Sequence, residues 1–239
     1  IMGLSKETKY VTLTNKGYIE YTHNLVESIK ENGVDLDLVV YSLDEISFEY
    51  FSAKNIQTKL INVASEDLEI SNFELQNSPE FYKIVYFKFF CINDLLKSFQ
   101  FVHFLDGDIV VKKDFTKNIL DYSDGLDLLA QNNKSPHDNN FDEINSGFML
   151  FQSNKKVMKH INPNRFSLKK FSKYKFHDQT YINNIKSKLN YELLNLDDFP
   201  NGAHYKEFKK EIDPFIIHYN YILGHEKKNQ MISDNHWYL

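Results

Sequence analysis

The chain has one cysteine, Cys91, among 239 residues, so no internal disulfide can form. Glycine is scarce at 8 residues and proline at 5. The few glycines never assemble into Gly-x-Gly-x-x-Gly or Gly-x-x-x-x-Gly-Lys. That excludes both the dinucleotide fingerprint and the P-loop. Positive charge is not in excess either: the formal net charge is -5, which gives no reason to expect nucleic acid as the main partner. No apolar run reaches the length of a membrane span, and the first residues do not form a signal peptide. Cytoplasm is the simplest home for such a chain, although a soluble catalytic domain of a larger protein would read the same way. No internal repeat is apparent. What remains is 42% hydrophobic and 26% charged, which suits one globular domain over 1–239 with a full-sized core.

The most informative stretch runs from Phe101 to Val111. Its first half, Phe101 to Leu105, is apolar and aromatic and reads as a buried strand. The strand runs into Asp106-Gly107-Asp108. In α/β sheets ligands bind at the carboxyl ends of the strands, so two carboxylates at that point form a candidate site. Two hard oxygen ligands suit a divalent cation that bridges phosphate oxygens. Gly107 lets the backbone turn and a ligand come close. Asp35-Leu36-Asp37 repeats the pattern but precedes an apolar run, and it reads as turn punctuation.

Taken in order, Lys9 to Thr14 alternates and is β-branched, as a first strand does. Tyr18, Thr22, Leu25, Val26 and Ile29 recur at helical spacing until Asn32-Gly33. Leu36 to Ser42 is a second strand, Leu43 to Ala53 a short helix, and Thr58 to Val63 a third strand. This alternation opens a parallel nucleotide-binding sheet. Ser78-Pro79-Glu80 starts a long helix whose apolar stripe includes Phe81, Ile84, Val85, Ile92, Leu95, Leu96 and Phe99. Lys88 interrupts that stripe. It either snorkels or meets an anion at the site, with Lys83 as the alternative cation.

Leu126 to Gln131 reads as a strand and Asn132 to Asn140 as a polar loop. Asn145-Ser146-Gly147 leads into a further strand; alone it is as readily an ordinary turn. Lys155 to Lys175 is basic with interspersed aromatics and reads as a solvated helical face. Asp178-Gln179 opens a helix over Tyr181, Ile182, Ile185 and Leu189, and Asp178 is as readily a plain N-cap. Pro214 to Tyr221 reads as a last strand carrying His218, with Gly224 and Lys227-Lys228 after it. A lone late histidine is more often structural than a ligand.

Together these motifs fall into a familiar order: a strand ending in Asp-x-Asp, Asn-x-Gly before a strand, Asp-Gln opening a helix, and His-x-Asn followed by Gly and Lys. From Tyr10 to about Gln230 the chain resembles the GT-A glycosyltransferases. It is most similar to the retaining nucleotide-diphospho-sugar transferases, of the glycogenin and bacterial α-galactosyltransferase type. The resemblance implies an α/β fold with a Rossmann-like, mostly parallel central sheet, helices on both faces and a smaller acceptor-side lobe. The nucleotide-sugar half would cover about 1–113 and the acceptor-side half about 114–239. It implies Mn²⁺ or Mg²⁺ held by Asp106, Asp108 and His218, a donor that is a UDP-sugar, and a glycan or glycoprotein acceptor. Thr12, Thr14 and Asn15 would meet the nucleoside. Lys88, Gly107, Asn145, Gly147 and Gly224 would contact the donor, and Lys227 or Lys228 its β-phosphate. Asp178 and Gln179 would lie beneath the sugar ring as the catalytic pair. The aromatic expected three residues after the histidine is Tyr221 here, and the doubled lysine leaves the phosphate contact open.

The residue types suit that chemistry. Negative charge develops on the departing diphosphate, where a divalent ion and a lysine stabilise it. Two other classes compete. A haloacid-dehalogenase-like phosphatase also ends a strand in Asp-x-Asp and could recruit Asp197-Asp198. Against it, that motif normally sits near the start of its domain and carries its glycine elsewhere. A non-catalytic nucleotide-sugar binder on the same fold is the third reading.

Overall fold

The computed structural model describes residues 5–61, 79–137, 142–163, 177–222 and 224–239. Several sequence expectations lie outside the described residues: the end of the third strand at Val63, the Ser78 cap, and most of the basic stretch after residue 163. The side chains of Phe81, Lys83, Ile84 and Val85 do too.

The first half alternates strands and helices as its pattern dictates. β1 (Ser5–Thr14) is followed by α1 (Ile19–Glu31), which buries Tyr21, Thr22, Leu25, Ser28 and Ile29 at three- and four-residue spacing. β2 (Leu38–Ser42), α2 (Glu45–Ala53) and β3 (Thr58–Leu60) come next. The Asp44 side chain caps α2 by accepting from the Ser47 N–H at 2.8 Å. α3 (Pro79–Leu95) then delivers the chain to β4 (Phe99–Leu105). The helix stops earlier than the apolar stripe suggested. A turn closes at Ser98 N–H to Leu95 O (2.9 Å), and Phe99 opens the strand instead.

The second half contains β5 (Ile109–Val111), α4 (Thr116–Tyr122), β6 (Leu128–Asn132), β7 (Ile144–Gln152) and α5 (Lys155–His160). It continues with α6 (Asp178–Ile185), β8 (Tyr191–Leu193), α7 (Gly202–Phe208), β9 (Ile216–His218) and α8 (His225–Ser233). α6 is shorter than the spacing through Leu189 suggested, because the chain tightens into a 3-10 turn at Lys186–Lys188. The last strand is also shorter than Pro214 to Tyr221. Its partner β5 has only three residues, and Tyr221 adopts a left-handed φ of 67°, which ends any extended run.

The main sheet has the order β3-β2-β1-β4-β7-β6-β8. Its pairs are parallel except those of β7, which runs antiparallel to both β4 and β6. One face carries Val11, Val102, Phe104, Met149 and Phe151 against Phe89 and Ile92 of α3 and Ile182 of α6. The other carries Tyr10, Leu105, Phe148 and Leu150 against Leu25 and Ile29 of α1 and Ile119 of α4. Alternation along each strand thus feeds two apolar layers, as the α/β pattern implies. Phe104 is 1% exposed, and truncating such a side chain to alanine costs roughly 3–5 kcal/mol. The order reverses between β1 and β4. Their carboxyl ends, Thr14 and Leu105, flank the crevice where open α/β sheets bind ligands.

Among the described residues no helix is long and apolar enough to cross a membrane. Asp37 of the first Asp-x-Asp copy immediately precedes β2 and pairs with Lys9 in the middle of β1, so that copy does not reach the crevice.

Candidate active site and metal centre

A cleft of about 460 Å³ opens at the β1/β4 reversal. Its floor is built by two short-range devices and one long-range pairing. At the end of β4 the Asp106 N–H donates to Gly147 O at 2.7 Å, and Ile109 N–H donates back to Asp106 O at 3.1 Å. That tight turn sends Asp106 and Asp108 to the same side. β5 then pairs antiparallel with β9, placing His218 opposite Ile109. Tyr219 N–H locks the register by donating to Asp108 O at 3.1 Å. The sheet therefore closes a gap of more than a hundred residues. His218 Nε2 lies 3.2 Å from Asp108 Oδ1 and 3.7 Å from Asp106 Oδ2.

The third device is an irregularity in the β6/β7 ladder. Ala130 pairs with Met149, but the next residue, Gln131, pairs with Asn145. The residues from Ser146 to Phe148 are skipped in that ladder; Ser146 lines the cleft while Phe148 stays in the core opposite Leu105, and such irregularities are common beside active sites. Asn145 braces the bulge by accepting from Gly147 N–H at 2.9 Å and donating to Asn133 Oδ1 at 2.9 Å. Gly147 has no room for a side chain. A Cβ there would sit 2.6 Å from Asp106 Oδ2 and 2.2 Å from His218 Cε1. The space a methyl group would take is the space between the acidic pair and the imidazole.

Asp106, Asp108 and His218 each offer one ligand atom, and all three atoms lie within 4.8 Å of one another. Two carboxylate oxygens and an imidazole nitrogen form a donor set that suits Mn²⁺ or Mg²⁺. The residues fit such an ion.

Two buried lysines balance the acids. Lys88 is drawn inward from α3, with its ammonium 2.9 Å from Asp106 Oδ1 and paired also with Asp178. It donates to Ser146 O at 3.1 Å and sits 4.7 Å above the Phe104 ring. Of the two readings of Lys88, it meets anions and does not snorkel. Lys227 on α8 pairs with Asp108. Three carboxylates against these two ammonium groups leave one uncompensated negative charge for a cation.

The protonation behaviour follows from these pairs. Burial pushes the Asp108 carboxyl up, but Lys227 and His218 outweigh it and hold the group well below the usual carboxylate range. Asp106 moves the other way: burial raises it, and Lys88 does not fully offset that together with the repulsion from Asp108. Burial likewise opposes ionised Asp178, yet Lys88 and the Ser146 hydroxyl, donating at 2.8 Å, keep it below its ordinary value. Burial also opposes the Lys88 ammonium, and Asp106 and Asp178 overcome it and raise the lysine.

The remaining expected residues divide into two groups. Thr14, Asn15, Gly107, Asn145, Asp178 and Gln179 line the cleft. The Asn15 Oδ1 accepts from the N–H groups of Gly17 (3.0 Å) and Tyr18 (3.1 Å). Gly107 is also needed by the fold, since a Cβ there would lie 2.7 Å from Thr22 Oγ1 on α1. Thr12, Gly224 and Lys228 do not line the cleft. Thr12 is fully buried within β1. Gly224 sits at the start of α8 with φ 58°, and its carbonyl accepts from Tyr21 OH at 3.1 Å. Lys228 points away, bonded to Glu20 at 2.7 Å over the Trp237 ring, and of the two lysines only Lys227 lines the cleft.

Tyr18, Asn133, His177 and Asn220 also line the cleft. Asn220 ends the His-x-Asn motif and Tyr18 begins the α1 spacing, but neither carried a site role in the sequence, while Asn133 and His177 sit in a loop and at a helix start with no signal of their own. Asp197 and Asp198 are not in the cleft, and Asp197 instead binds His204 at 2.8 Å. The acidic pair that the phosphatase reading would recruit is therefore not at the site.

Comparison with known proteins agrees with this geometry. A UDP-galactose:fucoside alpha-3-galactosyltransferase of Dictyostelium discoideum is 26% identical over 99% of this chain, which spans 44% of that protein's length. The glycosyltransferase GlyE of Streptococcus pneumoniae TIGR4 superposes with a TM-score of 0.62 at 18% identity, covering 97% of this chain and 64% of its own. An active-site mutant of LgtC gives 0.63 at 15% identity, covering 95% of both chains. These structural likenesses establish the GT-A type of α/β fold. A sequence model of the nucleotide-diphospho-sugar transferases matches residues 35–232, most of the chain, and on that match the chain belongs to the nucleotide-diphospho-sugar transferase family.

Proposed function

We propose that the protein is a metal-dependent glycosyltransferase that moves a sugar from a UDP-sugar to a glycan or glycoprotein hydroxyl with retention of configuration. The observation that carries this reading is the Asp106, Asp108 and His218 cluster at the carboxyl end of β4, with Lys227 against it. Mn²⁺ or Mg²⁺ in that cluster supplies positive charge to the leaving diphosphate. Lys227 adds a second positive charge on the same side, where negative charge develops as the bond breaks. Thr14 and Asn15, at the end of β1, hold the nucleoside. Asn145, the Gly147 bulge and Lys88 shape the pocket for the donor sugar. Residues to about 113 form most of the donor side, and the acceptor side comes from the remainder.

Retention is supported by the state of the cleft's acids. Asp106 and Asp178 share Lys88, and Asp108 holds Lys227, so among the described residues no cleft carboxylate stands apart from a lysine as a free general base. His177 is turned onto Thr180 of its own helix, with Nε2 2.9 Å from Oγ1. In the step that fits this arrangement, the bond from sugar C1 to the β-phosphate oxygen breaks and the acceptor oxygen bonds C1 on the same face. The acceptor proton passes to the departing phosphate oxygen. Asp178 and Gln179 stabilise the positive charge that the ring develops.

The test is release of nucleoside diphosphate from a panel of UDP-sugars in Mn²⁺. UDP-galactose comes first, because the Dictyostelium relative is named for it. Asp108→Asn keeps the shape and removes one anionic ligand. It should lower turnover on the order of 10²-fold, measured well below the variant's melting temperature, which should itself fall because the buried Lys227 ammonium loses its carboxylate. Full activity in excess EDTA, or wild-type turnover in Asp108→Asn, would discard the metal reading.

A further inference from the structure

The His218 ring is held from behind by one side chain. Gln131, fully buried on β6, places Oε1 2.7 Å from His218 Nδ1. Its Nε2 donates to the backbone carbonyls of Phe199 at 3.1 Å and Pro200 at 2.9 Å. Those carbonyls can only accept, so the amide end facing them is the NH₂ and the end facing the ring is the oxygen. An amide oxygen also only accepts. Nδ1 must therefore carry a proton, and in the neutral ring Nε2 carries the lone pair, on the side of Asp106 and Asp108. The bulge in the β6/β7 ladder starts at Gln131, so the irregularity that aims Ser146 and Gly147 also seats this amide.

We propose that Gln131 is a positioning residue that fixes His218 as the Nδ1–H tautomer and so presents Nε2 for ligation of a divalent cation. The ligation half rests on the metal reading above; the tautomer half does not. Three hydrogen bonds hold the amide: two to carbonyls on the segment leading toward β9, and one to the ring on β9 itself. The Pro200 carbonyl also accepts from the His218 backbone N–H at 3.3 Å, so ring and strand share one anchor. Groups behind metal-bound histidines typically tune affinity by such fixing of tautomer and orientation.

The experiment uses the whole metal-free chain with ¹⁵N-labelled histidine. Ring nitrogen shifts are followed to their alkaline plateau, where wild type should show a protonated Nδ1 and an unprotonated Nε2. A protonated Nε2 there would overturn the proposal without any variant being needed. Gln131→Met keeps the length of the side chain and removes both ends of the relay. It should give a mixed tautomer and Mn²⁺ affinity weaker by about 10–100-fold, read by electron paramagnetic resonance of free Mn²⁺. A purely structural glutamine would lower the melting temperature while leaving tautomer and affinity alone, and that outcome also sinks the idea. If wild type itself takes up no Mn²⁺, the metal reading fails together with the ligation half. If wild type binds and Gln131→Met binds equally well, this proposal alone fails.

Discussion

At the scale of single residues the molecule tolerates buried polarity where it is used and, at His103, where no use is evident. Lys88 was visible in the sequence as a cation on an apolar stripe, because helical spacing makes such an intruder conspicuous. Its pairing with Asp178 was not, since ninety residues separate them and only packing of α6 beside α3 brings them together. His103 on β4 is the unused case. It is fully buried among the rings of Tyr10, Phe115 and Phe148, and among the described residues neither ring nitrogen has a hydrogen-bond partner. Burial pushes the imidazole down to about 3. An unfolded histidine takes up its proton near pH 6.5, so between about 6.5 and 3 the unfolded chain binds more protons than the folded one. Stability is therefore present in full above pH 6.5 and falls as pH drops, by about 1.4 kcal/mol per unit. His103→Phe cannot titrate and removes two unsatisfied nitrogens. Its advantage over wild type in urea unfolding should grow by about 2 kcal/mol between pH 7.5 and pH 5. An advantage independent of pH would show that the ring is already charged or already partnered.

At the scale of elements, periodicity located β1, α1, β2, α2, β4 and β7 to within a few residues, because each buries one face or both in a continuous layer. It could not show the pairing of β5 with β9, three residues against three, which is a long-range event with almost no local pattern. That pairing nevertheless carries the site, since it sets His218 beside Asp108. The start of α8 has the same character. Gly224 adopts φ 58° and ψ -142°, a combination that glycine alone adopts without strain, and from there the first turn of the helix carries Lys227 into the cleft and Lys228 out of it. Gly224→Ala should strain that turn by about 1–3 kcal/mol and draw Lys227 off Asp108. The expected signature is a raised KM for the sugar nucleotide together with a lower melting temperature. If donor affinity is unchanged while stability falls, Lys227 does not depend on this turn for its position.

At the scale of the whole molecule, the parallel sheet, the absence of a phosphate-binding glycine loop and the acidic end of β4 were legible together. They posed one question: where a nucleotide diphosphate would find positive charge. The fold answers by converging Lys88 from α3, Lys227 from α8, His218 from β9 and the acidic pair of the β4–β5 turn on one 460 Å³ cleft at the sheet's reversal. The arrangement has a consequence for the product. Inversion at the sugar carbon needs a base on the face opposite the leaving group, with its carboxylate free to take the acceptor proton. Asp178 is the cleft acid outside the three-residue cluster, bound by Lys88 and Ser146 through the same oxygen and held below its ordinary protonation range. A carboxylate so engaged is a poor base and a good electrostatic partner for a ring that turns positive. An α-linked UDP-sugar should therefore give an α-linked product, read from the anomeric proton coupling by NMR within the first turnovers. On the proposed role, in which Asp178 stabilises charge and takes no proton, Asp178→Asn should slow the reaction strongly without changing that stereochemistry. A β-linked product from the wild-type enzyme would require a general base outside the residues described, and would move the catalytic assignment away from Asp178 and Gln179.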